Sequence, residues 1–241
     1  MKKSSIIVLL ALALALPLGA GGKKDQEGIT REQADEILKE LRQIRELLEK
    51  GARPGSGDAA EVRMNLEGGP WLGNKDAPFT LVEFTDYQCS YCRQFHLSTF
   101  PELKKQYIDT GRLRFASRDM PLDFHSNAAH AAEAARCAGE QGMFWELRDR
   151  LITHADRLAP ADIGGYAREI KLDALQFQNC LASGKYADVV KKDVATAEGF
   201  GVNGTPTFLL GKSTPDGVSG VILVGALPFA AFEARLKALV E

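Results

Sequence analysis

The sequence predicts an α/β domain interrupted by a block of helices, with an export signal and an amphipathic helix ahead of it. Three observations predict this. Strand-like runs near residues 79–85 and 113–117 alternate with helical patterning; the stretch from Asn127 to about Glu198 is helical with no convincing strand; and strand character returns near 207–210 and 221–224 before a last helix. Composition agrees with a packed core, at 45% hydrophobic and 26% charged residues over 241 positions. A net charge of −2 argues against a nucleic-acid partner, which would call for a basic stripe.

Residues 1–20 read as a signal peptide. Lys2 and Lys3 precede an apolar run from Ile6 to Ala20 that is broken by Pro17 and is too short for an unbroken membrane helix. Cleavage is expected near Ala20; the alternative is an uncleaved N-terminal anchor. Gly21 stands where lipidation would need a cysteine, which excludes a lipoprotein.

Residues 21–50 hold an amphipathic helix. Thr30 and Gln33 form the pattern of a capping box, and no glycine or proline falls between Thr30 and Lys50. Ala34, Ile37, Leu41, Ile44 and Leu48 recur at alternating steps of three and four, while Asp35–Lys39 and Arg42–Glu46 place opposite charges one turn apart. Residues 51–60, beginning Gly51-Ala-Arg-Pro-Gly-Ser-Gly57, read as a flexible linker. The helix either lies on the body of its own chain or assembles with other copies. The second reading is favoured, because a leashed helix this amphipathic needs a partner.

The body spans 61–241. Phe79-Thr-Leu-Val-Glu-Phe-Thr85 reads as a buried strand, and a helix follows over 90–107, bent at Pro101. A second strand covers 113–117, the helical insertion 126–198, and a terminal helix Phe229 to Val240.

Chemistry concentrates at Cys89-Ser90-Tyr91-Cys92. At a strand-to-helix junction the first sulfur faces unpaired backbone N–H groups and the positive end of the helix dipole, which favour the thiolate that attacks disulfides. Half a zinc site has the same spacing, but Cys137 and Cys180 are isolated and His96, His125, His130 and His154 show no paired ligand spacing. Glu83, mid-strand among apolar residues, is either a surface carboxylate at a sheet edge or a desolvated acid trading a proton with the second sulfur. Pro206, within Gly204-Thr205-Pro206-Thr207, is either an ordinary trans proline opening a strand or a cis proline.

The run Val-Glu-Phe-Thr-Asp-Tyr-Gln-Cys-Ser-Tyr-Cys-Arg-Gln-Phe-His (82–96), together with Gly-Thr-Pro-Thr-Phe (204–208), resembles the DsbA-like family of thioredoxin-fold thiol–disulfide oxidoreductases. The resemblance covers most of 70–241. It implies a thioredoxin fold with an inserted helical subdomain. Cys89 is then the exposed nucleophile, Cys92 the buried resolving thiol, Pro206 the cis-proline facing them, and Glu83 the buried acid beneath. It implies that the Thr205 backbone pairs with an extended, cysteine-containing protein substrate, and that a membrane partner reoxidises or reduces the site. No cofactor, metal or nucleic acid is called for, and the setting is periplasmic or otherwise extracytoplasmic.

Strongly oxidising members of that family carry Cys-Pro-His-Cys, whereas Ser90-Tyr91 places no positive charge inside the motif. Weaker thiolate stabilisation and a less oxidising disulfide are therefore expected. Tyr91, Thr205 and the N-terminal helix resemble features of disulfide isomerases, so an isomerase or reductase acting as a homo-oligomer through residues 30–50 is the alternative. A non-enzymatic holdase or copper-handling role is a third. Cys137 and Cys180 are expected to form a structural disulfide between helices of the insertion, the alternative being two buried free thiols.

Overall fold

A computed structural model describes residues 30–51, 61–66 and 69–240, and the chain divides into two units, Met1–Ser56 and Gly57–Glu241. The signal reading of residues 1–20 and the linker reading of 52–60 lie outside the described residues. Among the described residues, no helix is long and apolar enough to cross a membrane.

The first unit contributes α1 (Arg31–Gly51), so Gly51 closes a helix rather than opening the linker. Its start is a capping box: the Thr30 N–H donates to Gln33 Oε1 at 3.0 Å, and the Gln33 N–H donates to Thr30 Oγ1 at 3.2 Å. Ile37, Leu38 and Leu41 are exposed along one stripe of it.

In the second unit the strands are β1 (Val62–Asn65), β2 (Trp71–Leu72), β3 (Phe79–Thr85), β4 (Leu113–Asp119), β5 (Thr207–Thr214) and β6 (Gly217–Val224), ordered β1-β6-β5-β3-β4-β2 in one sheet. β3 is central, parallel to β4 and antiparallel to β5, and an unbroken apolar run suits a strand covered on both faces. Leu81 points into a core with Phe95, Phe100, Phe115, Phe208 and Phe232; Val82 and Phe84 point to the opposite side, against Met64, Ala116 and Leu209. That alternation places Glu83 on the Leu81 face, beneath the helix carrying the cysteines.

The helices are α2 (Ser90–Ser98), α3 (Phe100–Leu103), α4 (Ala128–Gly139), α5 (Phe144–Thr153), α6 (Pro160–Glu169), α7 (Ala174–Ser183), α8 (Ala187–Gly199) and α9 (Phe229–Ala238). The single bent helix expected over 90–107 is instead broken at Thr99 and closes in a π-helical turn, Lys104–Ile108. Pro101 has no N–H for the carbonyl of Leu97, and the Thr99 hydroxyl donates to the Leu227 carbonyl at 2.9 Å, fastening the break to the approach of α9.

The insertion packs as its own cluster, which also takes in Tyr87, Cys89 and Cys92, so the cysteine pair lies where sheet and insertion meet. One device fixes that junction, and a second staples the insertion internally. Arg136 of α4, buried, donates to Asp119 at the end of β4 (2.5 Å) and to Asp193 of α8; burial still pushes Asp119 up to about 6 against the guanidinium. Cys137 and Cys180 are bonded, with Cα atoms 5.8 Å apart, linking α4 to α7. Closing a loop of this length removes about 4 kcal/mol of unfolded-chain entropy by polymer arithmetic.

Candidate active site

β3 ends at Thr85 and α2 begins at Ser90, so residues 86–89 form the turn between them. The carboxylate of Asp86, fully buried, organises this turn. Its Oδ1 accepts the Gln88 N–H at 2.7 Å; its Oδ2 accepts the Leu122 N–H at 2.8 Å and lies 2.8 Å from His125 Nδ1. Gln88 Oε1 in turn accepts the Asn127 N–H at 2.6 Å, so the turn is tied twice to the loop between β4 and α4. Cys89 is the N-cap residue of α2, in extended conformation (φ −71°, ψ 121°), and its N–H donates to the Asp86 carbonyl at 3.1 Å.

Across from it, the Thr205–Pro206 peptide is cis, and the carbonyl of Thr205 accepts the Cys89 thiol at 3.3 Å. Pro206 is held from behind, where its carbonyl accepts the Gly225 N–H at 2.8 Å. The structure thus brings Cys89, Cys92, Thr205 and Pro206 together from elements more than a hundred residues apart in sequence. The exposed nucleophile implied by the resemblance needs correcting: Cys89 is only 5% exposed, because the insertion and the turn close over it, while the neighbouring Tyr91 is 62% exposed.

The two thiols are driven in opposite directions. Cys89 is lowered to about 5, first by the Cys92 thiol, then by Thr205 and the backbone N–H groups of Cys92 and Tyr91, with burial opposing them. Cys92 is pushed well above the usual thiol range by burial, by Cys89, and by the charge of Glu83. With no positive charge inside the motif, hydrogen bonds at the helix start supply the stabilisation of the Cys89 thiolate. Iodoacetamide is therefore expected to label Cys89 of the reduced protein with a pH midpoint near 5, leaving Cys92 unmodified at neutral pH. Equal rates at both sulfurs by peptide mass spectrometry would contradict this.

Glu83 is wholly buried, which removes the sheet-edge reading. Its Oε2 accepts Arg148 Nη2 at 2.5 Å, while Oε1 has no hydrogen-bond partner. Burial raises its carboxyl above the ordinary range; the Arg148 guanidinium works against that. The cross-strand neighbour of Glu83 on β4 is Ser117, which carries no charge to neutralise it, so the cation arrives from α5 of the insertion. Arg148, His96, Asp86 and His125 were not singled out in the sequence as site residues. Arg148 did leave a signal, an arginine four positions after Phe144 and three before Leu151, on the apolar face of its helix. Among the described residues no cluster of His, Cys, Asp and Glu could hold a metal ion.

The model of the family described as Thioredoxin matches residues 65–219. A Na+/H+ antiporter, NhaA 3 of Salinispora tropica, is 38% identical over 167 residues, which cover 68% of this chain and 25% of the antiporter. The chain thus spans about a quarter of the antiporter relatives it matches. The disulfide bond formation protein D of Bacillus subtilis is 28% identical over 160 residues, covering 63% of this chain and 71% of its own. Two crystal structures share the fold. Oxidised BdbD from Bacillus subtilis has a TM-score of 0.65 and 24% identity, covering 76% of this chain and 99% of that one. Wolbachia pipientis alpha-DsbA1 has a TM-score of 0.64 and 23% identity, covering 73% and 92%.

Proposed function

The chain belongs to the thioredoxin family whose model it matches, and from that premise we propose that it is a DsbA-like, extracytoplasmic thiol–disulfide oxidoreductase acting on extended, cysteine-containing protein substrates. The observation that carries the reading is the Cys89–Cys92 pair at the start of α2 opposite cis-Pro206, with one thiol lowered and the other raised. A relative named for disulfide bond formation supports it, as does the basic and apolar start of the sequence, which suits export.

In the oxidising direction a substrate thiolate attacks Cys89 Sγ of the Cys89–Cys92 disulfide. The S–S bond breaks, and its electron pair leaves on Cys92, which takes a proton from Glu83. A second substrate thiolate then attacks the substrate sulfur of the mixed disulfide. Cys89 departs as the stabilised thiolate, and two electrons have passed from substrate to enzyme. In reverse, Glu83 accepts the Cys92 proton and the Cys92 thiolate attacks Cys89 Sγ, releasing the substrate thiolate. The half-buried Thr205 offers its backbone to the substrate strand beside Cys89. A membrane partner restores the spent form of the site.

The second reading, an isomerase or reductase working as a homo-oligomer through residues 30–50, is favoured by the exposed stripe of Ile37, Leu38 and Leu41 on α1. Two refolding assays separate the readings. The oxidase is expected to accelerate refolding of reduced ribonuclease well beyond that of scrambled ribonuclease, and to keep this activity when residues 22–57 are deleted. Faster recovery of scrambled ribonuclease, lost with the same deletion, would establish the isomerase. Binding of unfolded protein or copper with no disulfide exchange in either assay would leave only the non-enzymatic role.

A further inference from the structure

Arg148 is held at each of its nitrogens. Nη2 donates to Glu83 Oε2, Nε to Ser117 Oγ at 3.2 Å, and Nη1 lies 3.5 Å from His96 Nδ1. The rings of Phe100, Phe115 and Trp145 surround the guanidinium at 5.8, 5.4 and 5.6 Å. His96 sits one helical turn beyond Cys92 on the same face of α2, nearly buried and stacked on Phe100 with ring centroids 5.6 Å apart. Its other nitrogen, Nε2, lies 2.9 Å from Oδ1 of Asp149, whose side chain is 63% exposed. The imidazole therefore connects a surface carboxylate to the buried cation that faces Glu83.

A neutral imidazole donates through one nitrogen and accepts through the other. An ionised carboxylate only accepts, so Asp149 places the hydrogen on Nε2 and leaves the Nδ1 lone pair facing the Arg148 Nη1–H. The hydrogen bond to His96 holds Asp149 below the ordinary carboxylate range, as an acceptor in this role requires. We propose that His96, oriented by Asp149, is a positioning residue that seats Arg148 against Glu83 and so sets the pH range over which Glu83 takes the proton of Cys92. This rests on Glu83 being the proton acceptor of the resolving step.

The groups facing Glu83 come from five elements. α2 presents Cys92 and His96, α5 presents Arg148, the turn after its own strand presents Tyr87, and β4 and β5 place uncharged Ser117 and Phe208 in register beside it. Among these Arg148 favours the carboxylate directly, and His96 does so only through its hold on Arg148. Losing the Nδ1 acceptor frees one edge of the guanidinium and weakens its hold on Oε2. An opposite charge in close contact lowers a carboxyl by about 1–3 units, so partial loss of that contact moves the acid upward by about one.

The test is the release of thionitrobenzoate from a mixed disulfide preformed on Cys89 of the full chain, followed by absorbance across pH. The rate falls as the pH drops through the Glu83 titration. His96→Leu is expected to move this acid limb about one unit towards higher pH. Asp149→Asn is expected to move it the same way by less. His96→Asn, whose carbonyl oxygen stands near the position of Nδ1 and accepts from Arg148, is expected to restore it. Should His96→Leu fail to fold, the surface change at Asp149 and the Asn variant decide the matter. Glu83→Gln separates the two readings: a limb that survives it overturns the role of Glu83 itself. A limb that Glu83→Gln abolishes, but that stays at the wild-type pH in His96→Leu and Asp149→Asn, overturns the positioning role alone. Equal displacement in the Leu and Asn variants of His96 also overturns it.

Discussion

Replacing Cys92 with Ser is expected to bring turnover down to the uncatalysed background while the protein accumulates on its clients. Cys89 keeps the helix-start N–H groups and still attacks a substrate disulfide. The serine hydroxyl cannot attack the mixed disulfide that results, so the covalent complex persists. Cys89→Ser loses turnover equally but captures nothing. Non-reducing electrophoresis with mass spectrometry distinguishes the two. A Cys92→Ser protein that cycles normally, or trapping through Cys92 in Cys89→Ser, would reverse the roles assigned to the pair.

Arg148→Met is expected to have the largest effect on stability. Arg148 and Glu83 are both essentially excluded from water, and removing one partner of a buried ion pair costs about 3–5 kcal/mol because the other charge is left uncompensated. The pH dependence identifies the cause. Burial already raises the Glu83 carboxyl, and losing the guanidinium raises it further. A carboxyl raised in the folded state contributes stability that is present below its unfolded value of 4.5 and is lost as the pH rises through the folded value. The deficit of Arg148→Met is therefore expected to be small in acid and largest above neutrality. Glu83→Gln combined with it should recover much of the loss at pH 8. Denaturant melts at several pH values measure this, and a deficit independent of pH would reduce Arg148 to packing in its aromatic surround.

What the sequence revealed was local or periodic. The apolar run 79–85 announced a strand buried on both faces, and the cysteine pair announced its own chemistry through its place before a helix. Glu83 drew notice because a carboxylate in such a run is out of place. Its partner stayed hidden because Arg148 lies 65 positions away and meets it only once the insertion docks on the sheet. The same reason conceals Asp86 with His125, 39 positions apart, and Asp149 with His96, 53 apart. β1 and β2 escaped notice because strands of four and two residues are too short to show a period. The burial of Cys89 was illegible too, since the residues that cover it arrive with the insertion.

The double anchoring of the turn at Asp86 bears on how freely this site can change. Asp86 and Gln88 fix the entry to α2 through residues 122–127, leaving Ser90 and Tyr91 exposed between the two sulfurs. Neither of those two side chains holds the turn in place. The dipeptide can therefore be exchanged without disturbing the scaffold, and each exchange alters the field felt by the Cys89 sulfur. Exchanging those two residues is therefore expected to retune the Cys89 thiolate while the cis-proline, the buried acid and its distant cation stay where they are.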